Sequence, residues 1–97
     1  MIVRIVKLTF QEGKADSFIE IFQKTKKHIR DMRGCIFLEL LQEKGDPNSF
    51  MTYSVWSSDE DLERYRNSDL FVETWGKIKG MFAKPAEART MDRIEKT

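Results

Sequence analysis

The stretch from Ser49 to Phe82, SFMTYSVWSSDEDLERYRNSDLFVETWGKIKGMF, constrains this chain more than any other part of it. It carries both tryptophans and both tyrosines of the sequence. In its first part Phe50, Thr52, Ser54 and Trp56 alternate with Met51, Tyr53 and Val55, the period of a strand. Neither set is charged, so this strand is expected to be covered on both faces. Ser57-Ser58-Asp59-Glu60 reads as a capping box, with Ser57 accepting from the amide three residues on and Glu60 reaching back to the Ser57 amide. Asp59, Glu60 and Asp61 place negative charge where a helix dipole favours it. Leu62 and Tyr65 begin an apolar face, Asn67-Ser68 interrupts it, and Ser68 can cap a second start. Phe71, Trp75, Ile78 and Phe82 then recur at helical spacing, and Pro85 closes the stripe. An aromatic wall this dense is either the core of a small domain or the lining of a pocket inside that core.

The remaining segments supply the frame. Ile2 to Phe10 is a strand with Ile2, Val6, Leu8 and Phe10 on one face, Arg4 among them, and Val3, Ile5, Lys7 and Thr9 on the other. Gln11 to Lys14 is a turn. A helix is expected from about Ala15 to Asp31, with Phe18, Phe22, Thr25, Ile29 and Met32 on its inner stripe and Lys24, Lys26, Lys27 and Arg30 facing water. Gly34 can end it in a left-handed conformation. Cys35 to Glu43 is a second strand, and the short turn Lys44 to Asn48 makes it a hairpin partner for the next. Ala86 to Glu95 is a polar, weakly alternating strand candidate suited to pairing at an edge or with a partner chain. The order strand, helix, strand, strand, helix, strand is an α+β, ferredoxin-like plan. An antiparallel sheet carries two helices on one face, and residues 1–97 form one domain. The helices cover one apolar face of the sheet. The other calls for a cover, and the simplest is a second copy, so a homodimer is expected.

Several classes are argued against. Net charge is +1 with acids and bases interspersed, which is no platform for nucleic acid. RNA-recognition modules share this strand–helix order, but here the first strand offers only Phe10, and the third lacks the basic, glycine-containing signature. No run is long enough for a membrane span, and Met1-Ile2-Val3-Arg4 enters a strand pattern without the layout of a signal peptide. One cysteine, Cys35, permits no internal disulfide and fits a cytoplasmic setting, with a buried structural thiol as its expected role. One histidine and one cysteine cannot assemble an ordinary zinc site, and no phosphate loop or nucleophile elbow is present.

The residues left for chemistry are few. His28 borders the first helix's apolar stripe, either as a boundary histidine or as a general base facing a cleft. Tyr65 and Trp75 stand on the two halves of the broken helix; each fills the core or walls a pocket, and each carries a polar tip that needs a partner if buried. Trp56 closes the third strand beside the same helix start.

Gly34-Cys35, the hairpin, Phe50, Tyr53, Trp56-Ser57-Ser58, then Leu62, Tyr65, Ser68, Phe71 and Trp75 together resemble the antibiotic biosynthesis monooxygenase family over most of the chain. The resemblance implies a ferredoxin-like fold, a dimeric α/β barrel and a pocket between sheet and helices. Members include oxygenases that act on quinols and polycyclic aromatics without metal or flavin, so it implies no cofactor. Trp56, Ser68 and Phe71 match the family's pattern, but its usual histidines fall at Tyr65 and Leu70 here. Haem-opening members use positions that correspond to Val6, Tyr65 and Trp75, and the absent axial histidine argues against that activity. The resemblance thus implies a monooxygenase for a small phenol or quinol. Tyr65 and His28 are the candidate catalytic residues, and Trp75, Phe71, Trp56 and Val6 the candidate substrate contacts. The alternative is a dimeric module that binds or senses a small molecule and has lost catalysis. A third reading, a purely structural domain, needs a pocket too small for a benzene ring.

Overall fold

The structure is a computed structural model describing residues 1–97. Four strands form one antiparallel sheet: β1 (Ile2–Thr9), β2 (Cys35–Gln42), β3 (Ser49–Trp56) and β4 (Glu87–Asp92), in the order β2-β3-β1-β4. Helix α1 (Ala15–Arg30) joins β1 to β2, while α2 (Asp59–Arg66) and α3 (Asp69–Ile78) lie between β3 and β4. This is the expected ferredoxin-like topology. The central pair is in register from Ile2 opposite Trp56 to Thr9 opposite Ser49, so the apolar sets of β1 and β3 share faces. The polar segment at the end of the chain is an edge strand, pairing with β1 from Ile2 opposite Asp92 to Lys7 opposite Glu87.

The helices cover the face bearing Leu8, Phe50 and Trp56. Two buried clusters sit beneath them. Leu8, Phe10, Phe18, Phe50 and Ile78 form one. Ile2, Cys35, Trp56 and Leu62 form the other, nearer the start of β1. The rings of Phe10 and Phe18 stack at 4.4 Å, and Phe50 meets both edge-on, arrangements that aromatic quadrupoles favour.

Helix α1 is apolar where its stripe demands: Phe18 and Ile29 are buried. Arg30 is not wholly given to solvent, because its guanidinium donates to the Cys35 carbonyl at 2.6 Å. Gly34 adopts φ +82°, and a Cβ there would overlap the Asp61 side chain, so both backbone and space require glycine. The capping box lies one residue later than the sequence suggested. Ser58, not Ser57, is the N-cap of α2: its Oγ accepts from the Asp61 amide at 3.2 Å and donates to Asp61 Oδ2 at 3.0 Å. Ser57 is still held to the sheet side, its amide donating to the Gly34 carbonyl. The acid three residues after Ser58 is Asp61, and it also takes a hydrogen bond from Arg64. That bond is the main cause holding its carboxyl below the ordinary value, with smaller help from Ser58, Arg64's charge and Arg33 against an opposing desolvation.

The opposite face of the sheet has no helix. Ile36, Phe37, Leu41 and Met91 are all exposed there or at its rim. Phe37 meets Tyr53 edge-on at 6.0 Å. Val3 and Val55 are buried on the same face, and Val55 shares a shallow depression with Ile36, Phe37, Glu39, Tyr53, Arg93 and Lys96 from the chain's end.

Candidate functional site

Between sheet and helices lies a cavity of about 350 Å³. An apolar cavity of about 150 Å³ already accepts benzene, so the space is ample for a substituted ring. Its walls draw on both buried clusters: Leu8, Phe18 and Ile78 from one, Trp56 and Leu62 from the other. Small globular domains usually show one contiguous core. Here the cavity stands where the two clusters would otherwise meet.

The helical wall follows from the break at Asn67-Ser68. Helix α2 stops at Arg66, and Ser68 caps α3 by accepting from the Phe71 amide at 3.1 Å. The same hydroxyl donates back to the Tyr65 carbonyl at 2.6 Å. One side chain therefore fixes the angle between the halves. The result is a run of ring contacts. Trp56 stacks on Tyr65 at 5.0 Å, Tyr65 meets Phe71 edge-on at 5.3 Å, Phe71 stacks on Trp75 at 5.7 Å, and Trp75 meets Phe82 edge-on at 5.4 Å. Four of these five residues, Phe82 excepted, line the cavity.

The sheet side contributes Arg4, Val6 and Leu8 from β1, Thr52, Ser54 and Trp56 from β3, Leu38 from β2 and Ala88 from β4. Trp56 is 0% exposed and its indole N–H donates to Ser54 Oγ at 3.0 Å. It is therefore both core and cavity floor, with its polar tip satisfied from within the chain.

Tyr65 differs. Its backbone is tied to Ser68, but its hydroxyl takes no partner from the chain; since every fully buried polar side-chain atom has a partner, this hydroxyl is the accessible tip of a largely buried side chain. That hydroxyl is thus the kind of group that waits for a ligand oxygen. Burial first, and the nearby Cys35 second, push its pKa up to about 12. Near neutral pH Tyr65 is a hydrogen-bond donor and no base.

The structure brings Tyr65, Trp75, Phe71, Trp56 and Val6 together around the cavity. It does not bring His28 there. His28 is exposed on α1, one residue before the inward Ile29, and does not line the cavity, so it is out of reach of a proton inside it. Cys35 is buried beneath α1 with its thiol pushed up by burial, as a packing residue. No three His, Cys, Asp or Glu residues gather in a way that could hold a metal ion. Two lining residues carry charge that the sequence did not flag, Arg4 and Arg66. The signal for Arg4 was present in the pattern: a lone cation amid Ile2, Val6 and Leu8 on the inward face of β1.

A family model described as antibiotic biosynthesis monooxygenase matches residues 1–75. Solved structures share the fold at low identity. A candidate antibiotic biosynthesis monooxygenase from Nitrosomonas europaea superposes with TM-score 0.92 at 18% identity, covering 98% of this chain and 100% of that one. SnoaB of Streptomyces nogalater, described as a cofactor-independent oxygenase, gives TM-score 0.87 at 17% identity over 98% of this chain and 94% of its own. Among curated proteins, an uncharacterised protein of Synechocystis is 29% identical over 76 residues, 78% of this chain. That match spans only about half of the relative, 52% of its length.

The state of Tyr65 has a consequence in alkali. Below pH 10.0, the ordinary tyrosine value, folded and unfolded chains both keep this proton. Between that value and about 12 the unfolded chain loses it while the folded chain holds it, so stability falls as pH rises through the window. Thermal denaturation followed by circular dichroism should show a shallower alkaline decline for Tyr65→Phe than for the native chain. Parallel declines would contradict the desolvation of this side chain.

Proposed function

The chain belongs to the antibiotic biosynthesis monooxygenase family, and from that membership and its cavity we propose that it oxidises a small phenolic or quinolic ring with dioxygen, without metal or flavin, as a homodimer. The observation that carries the reading is the aromatic cavity of about 350 Å³ with the Tyr65 hydroxyl free to meet a substrate oxygen. A purely structural domain of this size has no use for such a cavity.

The chemistry asks little of the protein. An ionised phenol passes one electron to dioxygen, giving a ring radical and superoxide. These couple at a ring carbon that bears hydrogen, forming a carbon–oxygen bond and, after protonation, a hydroperoxide. Loss of that carbon's proton with cleavage of the O–O bond leaves a carbonyl on the ring and hydroxide, which the proton converts to water. The ring loses two hydrogens and gains one oxygen atom; the second oxygen leaves as water, and all four electrons come from the substrate. The chain's part is to hold the ring, to favour its anion and to keep bulk water from the radical pair. Phe71 and Trp75, stacked at 5.7 Å, wall the ring, with Trp56 and Val6 beneath it. Tyr65 donates to the ring oxygen, and that bond strengthens as charge develops there.

Oxygen uptake tests this directly, using a panel of hydroquinones and polyphenols with metals chelated. Uptake above the uncatalysed rate, with one quinone formed per dioxygen and no peroxide released, is the expected outcome. Tyr65→Phe should lower turnover at least about tenfold, the loss expected from a hydrogen bond to a charged oxygen. Full activity in that variant would contradict the role given to Tyr65. Tight binding of a small aromatic with no uptake on any substrate would instead favour a binding module, a reading to which the absence of any acidic or basic side chain other than arginine on the cavity wall lends weight.

The homodimer is supported by the unclad sheet face with exposed Phe37 (43%) and Leu41 (44%). Light scattering should report a dimer at micromolar concentration, and the double variant Phe37→Lys, Leu41→Lys should shift it to monomer. A native chain that is monomeric there would remove this part of the proposal.

A further inference from the structure

The charge on the cavity wall is one-sided. Of its 19 lining residues, 14 are hydrophobic, three are Thr52, Ser54 and Thr74, and the other two are Arg4 and Arg66. No Asp, Glu, His or Lys is among them. Arg66 already has an acid, Glu63, at 2.7 Å, and its side chain is substantially exposed. Arg4 has none: the chain's four ion pairs leave it out. Its sole side-chain partner is the neutral Thr90 hydroxyl at 2.6 Å. A guanidinium has five N–H donors in a fixed fork that matches an oxyanion, so most of this one's capacity is unspent.

The surroundings of Arg4 add to the case for an anionic ligand. Burial, then the charge of Arg66, disfavour the Arg4 cation, and Glu63 offsets only part of this. Those are the charged groups that face it from α2. On β3 it lies opposite Ser54, with Thr52 one step along the same face. On β4 it lies opposite Thr90, flanked on that face by Ala88 and by the exposed Asp92, which forms no ion pair with it. The lining residues of α1 and α3 are uncharged. Arg4 is only partly buried, but its guanidinium stands on an otherwise apolar strand face with donors to spare for an anionic partner.

We infer that Arg4 binds an oxyanion carried by an aromatic ligand, so that the cavity prefers ionised phenols or aromatic carboxylates to neutral rings. The inference rests on the aromatic-ligand reading above and deepens it by naming the form of ligand held. It also addresses a gap in that reading. With His28 outside and Tyr65 protonated, no lining side chain can act as base near neutrality. A fixed guanidinium beside the ring oxygen lowers the pKa of the substrate itself, and the proton leaves to solvent. Arg4 then selects the substrate and also maintains it in the electron-rich form that reduces dioxygen.

The test uses three non-reacting probes with the native chain, para-nitrophenol, its neutral methyl ether para-nitroanisole, and benzoate. Calorimetric titrations are run on either side of the nitrophenol's ionisation, and the visible absorbance of the bound probe reports its charge. The nitrophenolate should bind at least about tenfold tighter than the nitrophenol, equivalent to one unit in the bound probe's acidity. Arg4→Gln should abolish that preference and Arg4→Lys should keep part of it, while Arg66→Gln should weaken it less. Benzoate as tight as the nitrophenolate would point to a permanent carboxylate on the ligand, and weaker benzoate to the ring oxygen; both support the inference. Equal binding of phenol, phenolate and methyl ether would overturn it while leaving an aromatic site in place. A preference that survives Arg4→Gln would also overturn it. Failure of all three probes to bind would remove both this inference and the reading beneath it. Should Arg4→Gln not fold, the native comparison with Arg4→Lys and Arg66→Gln still decides.

Discussion

The Ser68 hydroxyl joins the two halves of the cavity's helical wall, donating to the carbonyl of Tyr65 at 2.6 Å and accepting from the amide of Phe71 at 3.1 Å. An unbroken helix from Asp59 to Ile78 would place its aromatic residues along one straight stripe, free to close on the sheet. The serine interrupts that stripe and caps the second start, which is the ordinary work of an N-cap. Here it has a geometric product. Tyr65 is left stacked on the Trp56 indole and Phe71 on Trp75, with an edge contact between the pairs. The rings brace one another and leave space beneath them.

This arrangement resolves the choice posed by the aromatic stretch. Core and pocket lining are the same residues. Trp56, 0% exposed and hydrogen-bonded to Ser54, anchors one buried cluster and floors the cavity. Ile78 does the corresponding work at the other cluster. Filling a void of about 350 Å³ with side chains would favour stability. Leaving it open with a free tyrosine hydroxyl and an unpaired arginine on its wall is the sort of local inconsistency that function imposes on a fold.

Much of this was legible in the sequence. The strand–helix order, the inward and outward faces of the central strands, the break before Ser68 and the weak, polar character of the last strand follow from period, caps and polarity. The capping box slipped by one because Ser57-Ser58 offers two hydroxyls and Asp59-Glu60-Asp61 three acids; only the packed geometry chooses Ser58 with Asp61. His28 was the one residue type suited to acid–base work, yet it neighbours the inward Ile29, and a step along a helix turns a side chain by about 100°. Arg4 was visible as a polar intrusion in an apolar face, but its meaning depends on what lies opposite. That is set by α2 and β4, far away in the chain.

The central claim is that an aromatic ring occupies the space between the sheet and the broken helix with its oxygen toward Arg4 and Tyr65. The most direct test is a crystal structure of the chain soaked with para-iodophenol, whose iodine is located by anomalous scattering. The account predicts the ring against Phe71 and Trp75, with its oxygen within hydrogen-bond distance of the Arg4 guanidinium or the Tyr65 hydroxyl. An empty cavity, or iodine found only on the outer face of the sheet near Phe37 and Tyr53, would contradict it.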